Sequence, residues 1–194
     1  MTALSIKNRL KKSSHKKNTA LTNDAAITPL STAAELVAYH DYKAFITKPM
    51  WQQVIKREAT KLLIYLAKLY QRPYEHVTIV FMEVEEITKL AEKFHHTSED
   101  VSDVLTFSYT ESPHDPIEGD IVLCPEVIFN TASEENRLLA YALIETLLHG
   151  MLHLYGLTHS YKRASLTKVY LKQKTILKNI DINWVKLYEL VQSR

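Results

Sequence analysis

The sequence predicts an α+β domain, because a few short strand-like segments are interspersed with longer helical ones. Segments 76–82, 103–109 and 120–124 are rich in β-branched and aromatic residues, which is typical of buried strands. Apolar residues spaced three or four apart recur between and after these segments, as they do in helices that bury one face. The length of 194 residues suits one domain with some additional chain at its ends.

The first half of the domain should begin with a helix over residues 50–70, where apolar side chains recur at helical spacing. This helix is expected to end before Pro73, because the residue preceding a proline disfavours helical geometry. The strand at 76–82 follows it. Residues 84–95 then predict a second helix, with a small apolar side that contains Ile87.

The second half should contain two strands and two helices. A polar loop with two prolines separates the strand at 103–109 from the strand at 120–124. Ser133 is expected to cap a helix, because two glutamates and an apolar run that reaches about Leu154 follow it. A last helix is predicted over roughly 163–192.

The net charge of +2 conceals a division of charge along the chain. Residues 1–23 carry six basic side chains and no acid, and residues 160–194 carry eight basic and two acidic ones. Residues 24–159 carry ten basic and twenty acidic side chains, so the three segments have charges of +6, +6 and −10. Basic flanks favour a polyanionic partner such as nucleic acid, although a solvated helix face and a tail would give the same pattern.

Composition also predicts the boundaries of the chain's parts. Residues 1–33 are basic, rich in Ser, Thr and Asn, and without an apolar period, so we expect a disordered N-terminal tail followed by one domain over 34–194. No apolar run approaches the roughly 20 residues of a membrane helix, and no secretory signal is visible. A single cysteine, Cys124, excludes an internal disulfide and a CxxC metal site. These features favour the cytoplasm and no membrane partner.

The chemistry concentrates in residues 146–160, TLLHGMLHLYGLTHS. His149 and His153 are four residues apart on a predicted helix, so their imidazoles project from one face, one turn apart. Gly156 can adopt the left-handed conformation that ends a helix and carries His159 back toward the first two. Three neutral imidazoles suit zinc and leave the fourth tetrahedral position to water, as in catalytic sites. We therefore predict one Zn²⁺ per chain, bound by these three histidines.

Two alternatives remain open at this point. A fourth protein ligand would close the zinc site and make it structural. The spacing of the first two histidines also matches zinc peptidases, in which a glutamate beside the first histidine acts as general base. Gly150 occupies that position. A zinc metalloprotease-like hydrolase is therefore the second candidate and not the first.

Three blocks in the sequence together resemble the YbeY family, bacterial rRNA maturation factors described as metal-dependent endoribonucleases specific for single strands. HGMLHLYGLTH at 149–159 is similar to the family's H-G-x-L-H-L-x-G-Y-D-H. SDVLTFS at 102–108 resembles T-D-V-L-S-F-P, and GDIVLCPE at 119–126 resembles G-D-I-x-I-C-P-E. Order and spacing agree over roughly residues 75–180. The resemblance implies a small mixed β-sheet packed with several α-helices, with a three-histidine zinc site on a helix–turn segment.

The chain departs from the family at positions that bear on catalysis. Leu157 and Thr158 stand where the family has Tyr-Asp, and Ser108 stands where it has proline. The family's functional arginine, six residues before the second block's Thr, corresponds to His96 here. Histidine can contact phosphate, but it is a cation only when protonated. The resemblance thus assigns His96 to the catalytic residues, together with His149.

Asp103, at the start of a predicted strand, is a further catalytic candidate with two readings. It can orient a zinc-bound histidine or transfer a proton, and it can equally well cap local backbone amides. The local role is favoured for Asp120, and a buried core thiol is favoured for Cys124. Four lysines on the last helix either follow RNA phosphates or form a solvated face: Lys168, Lys172, Lys174 and Lys178.

These observations predict a zinc-dependent, single-strand-specific endoribonuclease acting in rRNA processing and ribosome maturation. Its metallohydrolase domain would cover residues 34–194 and end in a basic helix. The expected partners are single-stranded RNA, above all rRNA, and the small ribosomal subunit or its assembly factors. A different class also remains open, a ribosome-associated assembly factor with little nuclease activity.

Overall fold

The structure is a computed structural model that describes residues 3–8, 49–94, 101–157 and 163–187. Within these ranges the chain forms four strands and five helices, followed by a helical turn at 184–187. In chain order the elements are β1 (Ala3–Asn8), α1 (Pro49–Tyr70), β2 (Tyr74–Phe81), α2 (Val84–Lys93), β3 (Val104–Ser108), β4 (Ile117–Leu123), α3 (Pro125–Glu134), α4 (Leu139–Leu154) and α5 (Arg163–Asn179).

The four strands form one mixed sheet in the order β1-β2-β4-β3. Strands β1 and β4 run parallel to β2 on its two sides, and β3 runs antiparallel to β4. The central strand β2 is buried continuously from Val77 to Phe81, as expected for a strand covered on both faces. The predicted α+β class, with a small mixed sheet and several helices, is confirmed.

Helices cover both faces of this sheet. On one face, α1 and α4 contribute to the larger core, which includes Ile79 of β2 and Ile121 of β4. On the other face, α2 packs through Ile87 against a smaller cluster that includes Val122 and Cys124. None of the helices in the described part of the chain combines the length and apolar character needed to cross a membrane.

Helix α4 is the element that positions the candidate site, and it lies directly on the sheet. It packs against β3 and β4 and also contacts α1, α3 and α5. The close approach depends on Gly150, where an added Cβ would lie 2.7 Å from Ile121 Cγ2 and 3.1 Å from Val104 Cγ2. Nearly the whole helix is therefore buried, and only its histidine-bearing side is partly open.

The segment predicted to be a disordered tail contains a strand. Ala3–Asn8 pairs in parallel with β2, with Leu4 opposite Val77, and Leu4 is buried. The Ser5 hydroxyl donates to Thr78 Oγ1 at 3.0 Å. The prediction of disorder is thus wrong for these six residues, because a strand with so few apolar positions is stabilised by a partner more than 70 residues away. The rest of 1–33 lies outside the described residues, and the domain boundary at 34 stays a prediction.

The helix predicted to start at Ser133 is two helices. Residues Pro125–Glu134 form α3, with proline at a first-turn position where its missing N–H is not needed. Ser133 lies in the last turn of α3, not at an N-cap. Asn136 then adopts φ +51°, a left-handed conformation that asparagine tolerates, and α4 begins at Leu139. The helix predicted over 163–192 ends at Asn179.

A buried carboxylate attaches the end of the described chain to α1. Glu58 is fully buried, and it accepts hydrogen bonds from Arg57 Nε at 2.8 Å and from the backbone N–H of Asn183 at 3.3 Å. Lys61 Nζ lies 2.9 Å from Oε2, the carboxylate oxygen that also accepts from Asn183, and it donates to the carbonyl of Asp181 as well. Burial alone would raise the pKa of Glu58, but these donors together lower it.

This arrangement predicts acid sensitivity. Because the pKa of Glu58 is lower in the folded state than in the unfolded chain, its contribution is complete above the ordinary carboxyl range and is lost as pH falls through the folded value. Glu58→Gln should reduce the free energy of unfolding at pH 7 by about 1–3 kcal/mol. It should also flatten the acid limb, which urea unfolding from pH 3 to 7 would measure. An unchanged acid limb would contradict the assignment.

Candidate metal centre and active site

His149 and His153 lie one turn apart in the last two turns of α4, as the sequence predicts. Their Nε2 atoms are 3.0 Å apart, and their rings meet edge to face with centroids 4.6 Å apart. Two nitrogens bound to one tetrahedral zinc at about 2.0–2.1 Å would lie roughly 3.3 Å apart. The two imidazoles therefore fit a shared metal ion without a large rearrangement.

The chain reverses direction immediately after this pair. Gly156 has φ +83°, its N–H donates to His153 O at 2.9 Å, and the next N–H, of Leu157, donates to Leu152 O at 3.0 Å. These two bonds form a Schellman motif, which ends a helix with a glycine in the left-handed region. The predicted turn is confirmed. His159 lies outside the described residues, so its place as third ligand stays a prediction.

His149 borders an open cleft of about 420 Å³. Its described lining residues include three carboxylates, one side-chain amide and a single guanidinium. These residues are Asp103, Glu135, Arg137, Glu145, Thr146, His149, Tyr170 and Gln173.

Asp103 lies in this cleft, beside His149. Burial raises the pKa of its carboxyl, while the neighbouring charge of His149, the amides of residues 103 and 104, and the side chain of Thr146 oppose that rise. Both readings of the sequence thus find support, since the carboxylate accepts local amides and also faces the candidate site. Its catalytic role stays a proposal.

The contact that orients His149 comes from a residue that sequence reasoning missed. Nδ1 of His149 lies 3.1 Å from Gln173 Oε1, and Gln173 is almost completely buried. The signal was a polar residue inside the apolar stripe of α5, between Val169 and Ile176. A buried polar side chain on such a stripe is informative, because it needs a partner.

Arg137 is the other residue that the sequence did not single out. It pairs with Glu145 and, through Nε at 2.6 Å, with Glu135. Its side chain keeps about a third of its surface exposed toward the cleft. His96, which the resemblance assigns to phosphate contact, lies outside the described residues, and that assignment stays a prediction.

The remaining candidates have local roles. Asp120 accepts a hydrogen bond from the Tyr109 hydroxyl at 2.9 Å and does not line the cleft. Cys124 is completely buried, which raises the pKa of its thiol, so the predicted core thiol is confirmed. Of the lysines on α5, Lys174 lies 4.4 Å from the ring of Tyr170, next to the cleft.

The position after the first histidine cannot serve a peptidase. An added Cβ at Gly150 would point into the sheet, within 3.2 Å of Ile121, Val104 and Thr106 atoms. A glutamate there would meet β3 and β4 instead of a metal-bound substrate. The geometry thus weighs against the metalloprotease alternative.

The sequence comparisons with known proteins agree on one family. The sequence profile described as Endoribonuclease YbeY matches residues 38–181. A Thermotoga maritima protein named Endoribonuclease YbeY is 29% identical over 109 residues, which are 56% of this chain and 70% of that protein. A Cupriavidus pinatubonensis protein of the same name is 36% identical over 83 residues, 43% of this chain and 41% of that protein. A solution structure of a T. maritima protein matches with 27% identity and a TM-score of 0.48, covering 65% of this chain and 80% of that one.

Proposed function

The chain belongs to the YbeY family, and from this premise we propose that it is a metal-dependent endoribonuclease that hydrolyses single-stranded RNA during rRNA processing. The observation that carries the proposal is the pair of imidazole nitrogens 3.0 Å apart beside an open cleft. We further propose that the enzyme acts in the cytoplasm and meets its RNA on the small ribosomal subunit or its assembly intermediates.

We propose zinc as the metal, with His149, His153 and His159 as its ligands. The donor set supports this choice, because neutral imidazole suits zinc. When bound, zinc would supply Lewis-acid polarisation of a phosphoryl oxygen and lower the pKa of a water to about 7.

The chain's own side chains would bind and orient the RNA. Arg137, which pairs with Glu135 and Glu145, is partly exposed and lines the cleft, where its guanidinium can also contact a phosphate. Tyr170, about half exposed beside Lys174, offers a face on which a base can stack. Asp103, which lines the cleft and whose pKa is raised by burial, would accept and return a proton.

An open cleft of this kind favours single strands, whose backbone can bend into it, over a duplex. The direct test incubates zinc-loaded protein with a labelled single-stranded RNA, the same RNA in a duplex, and casein. Cleavage of the single strand alone is the expected result. Proteolysis of casein with both RNAs intact would contradict the proposal and revive the peptidase alternative.

The replacement of the family arginine by His96 predicts an unusual pH dependence. If His96 contacts phosphate, it must be protonated, and histidine ordinarily titrates near pH 6.5. RNA cleavage should then decline on the alkaline side, and His96→Arg should restore it there, because arginine keeps its charge. Cleavage rates measured from pH 5.5 to 9 would check this. Full activity of His96→Ala at every pH would show that Arg137 or the α5 lysines supply the charge instead.

A further inference from the structure

We propose that Gln173 is a positioning residue that fixes the ring tautomer of His149 and so leaves the Nε2 lone pair of that histidine available to a metal. The inference rests on the proposed metal site. The Gln173 side-chain amide on α5 makes two contacts with α4, one with the backbone of Glu145 and one with the ring of His149.

The orientation of the amide follows from its second partner. Gln173 Nε2 lies 3.0 Å from the backbone carbonyl oxygen of Glu145. A carbonyl oxygen can only accept, so the NH₂ group must be the end of the amide that faces it. The opposite end, Oε1, therefore faces Nδ1 of His149 at 3.1 Å.

The tautomer follows from the amide. An amide oxygen can only accept, so the hydrogen between Gln173 and His149 must be carried by Nδ1. A neutral imidazole has only one ring hydrogen, so Nε2 of His149 carries none and keeps its lone pair. This is the nitrogen that points toward His153 Nε2, 3.0 Å away. The backbone of α4 thus determines the orientation of the Gln173 amide, and the amide determines which nitrogen of His149 can bind a metal.

Burial restricts the Gln173 side chain to this orientation. Gln173 is only 4% exposed and lies on the stripe of α5 that also contains Val169 and Ile176. An apolar side chain of similar length would fill the same space without needing hydrogen-bond partners. A role limited to packing would therefore be served as well by methionine, whereas the tautomer requires the amide.

The test replaces Gln173 by methionine, with Gln52→Met on α1 as the control that makes the same substitution outside the cleft. In the metal-free parent at pH 8, two-bond ¹H–¹⁵N spectra should show the His149 hydrogen on Nδ1. In Gln173→Met both tautomers should appear, and zinc affinity should fall about 10- to 100-fold, as for other residues that orient a metal ligand. Thermal stability should fall only modestly, because methionine fills the same space but leaves the Glu145 carbonyl and His149 Nδ1 without this partner. Gln52→Met should change neither the tautomer of His149 nor the zinc affinity.

A second variant keeps the hydrogen-bond acceptor for His149 and removes the donor for the Glu145 carbonyl. Gln173→Glu keeps an acceptor for Nδ1 but sets a carboxylate oxygen against the Glu145 carbonyl. It should retain the Nδ1–H tautomer, which the methionine variant does not hold, and it should lose more stability than the methionine variant because two oxygens then face each other. A parent with its hydrogen on Nε2, or a methionine variant that binds zinc as tightly as the parent, would overturn the proposal. These readouts use no RNA, so a failure of the proposed nuclease activity would be seen separately.

Discussion

Replacing His153 by alanine is expected to reduce the rate of RNA cleavage by more than ~100-fold. This loss exceeds the one that is typical of residues that only orient a metal ligand. The substitution removes one of two nitrogens that lie 3.0 Å apart at the cleft. Zinc content should fall in parallel. Binding of single-stranded RNA should change little, because the proposed phosphate contacts come from other side chains.

The matched control is His114→Ala, which removes an exposed histidine from the loop between β3 and β4. Cleavage rate, zinc per chain and RNA affinity would be measured on both variants and the parent. The control should match the parent in all three. A His153→Ala protein that still cleaves RNA at the parent's rate would place the reaction elsewhere on the molecule.

Gly150→Glu, which would recreate the glutamate of zinc peptidases, is expected to prevent stable folding. An added Cβ would already approach Ile121 Cγ2 to 2.7 Å and Val104 Cγ2 to 3.1 Å, and a carboxylate beyond it would be forced against the sheet. Overpacking and burial of an unpaired charge together should lower the free energy of unfolding by more than about 3 kcal/mol. No peptidase activity should appear.

Two smaller substitutions isolate the cause. Gly150→Ala adds only the clashing carbon and should lower the free energy of unfolding by about 1–3 kcal/mol. Gly156→Ala adds a carbon that meets nothing within 4 Å but imposes a side chain at φ +83°, which should cost about 1–2 kcal/mol. Urea unfolding would measure all three. A Gly150→Glu protein as stable as its parent would show that α4 does not pack on the sheet as described.

The sequence was sufficient where the determining contacts are local. The spacing of His149 and His153, and the glycine that follows, depend on helix geometry alone, and the structure reproduces both. Between the last strand and these histidines, the predicted start of a helix at Ser133 was wrong. Serine followed by glutamates resembles a helix N-cap, and this local signal was preferred to the proline at position 125, which is also typical of a helix start. Proline at the start of α3 and left-handed Asn136 decided that boundary.

The missed features depend on contacts between residues distant in sequence. Strand β1 is stabilised by pairing with β2, so its own few apolar residues gave little signal. Gln173 on α5 contacts His149 on α4, 24 residues earlier in the chain. Its place among the buried residues of α5 resembles that of an ordinary core residue. The electrostatic surroundings of Asp103 likewise follow from burial, which sequence pattern does not give.

The most direct test of the proposed function is a cycle of metal removal and return on one preparation. A single-stranded rRNA fragment would be incubated with the zinc-loaded protein, with the same protein after chelation, and with that protein after zinc is restored. The account predicts cleavage, its loss with the metal, and its recovery with about one zinc per chain, in the parent and not in His153→Ala. Cleavage that persists at full rate in metal-free protein would contradict it.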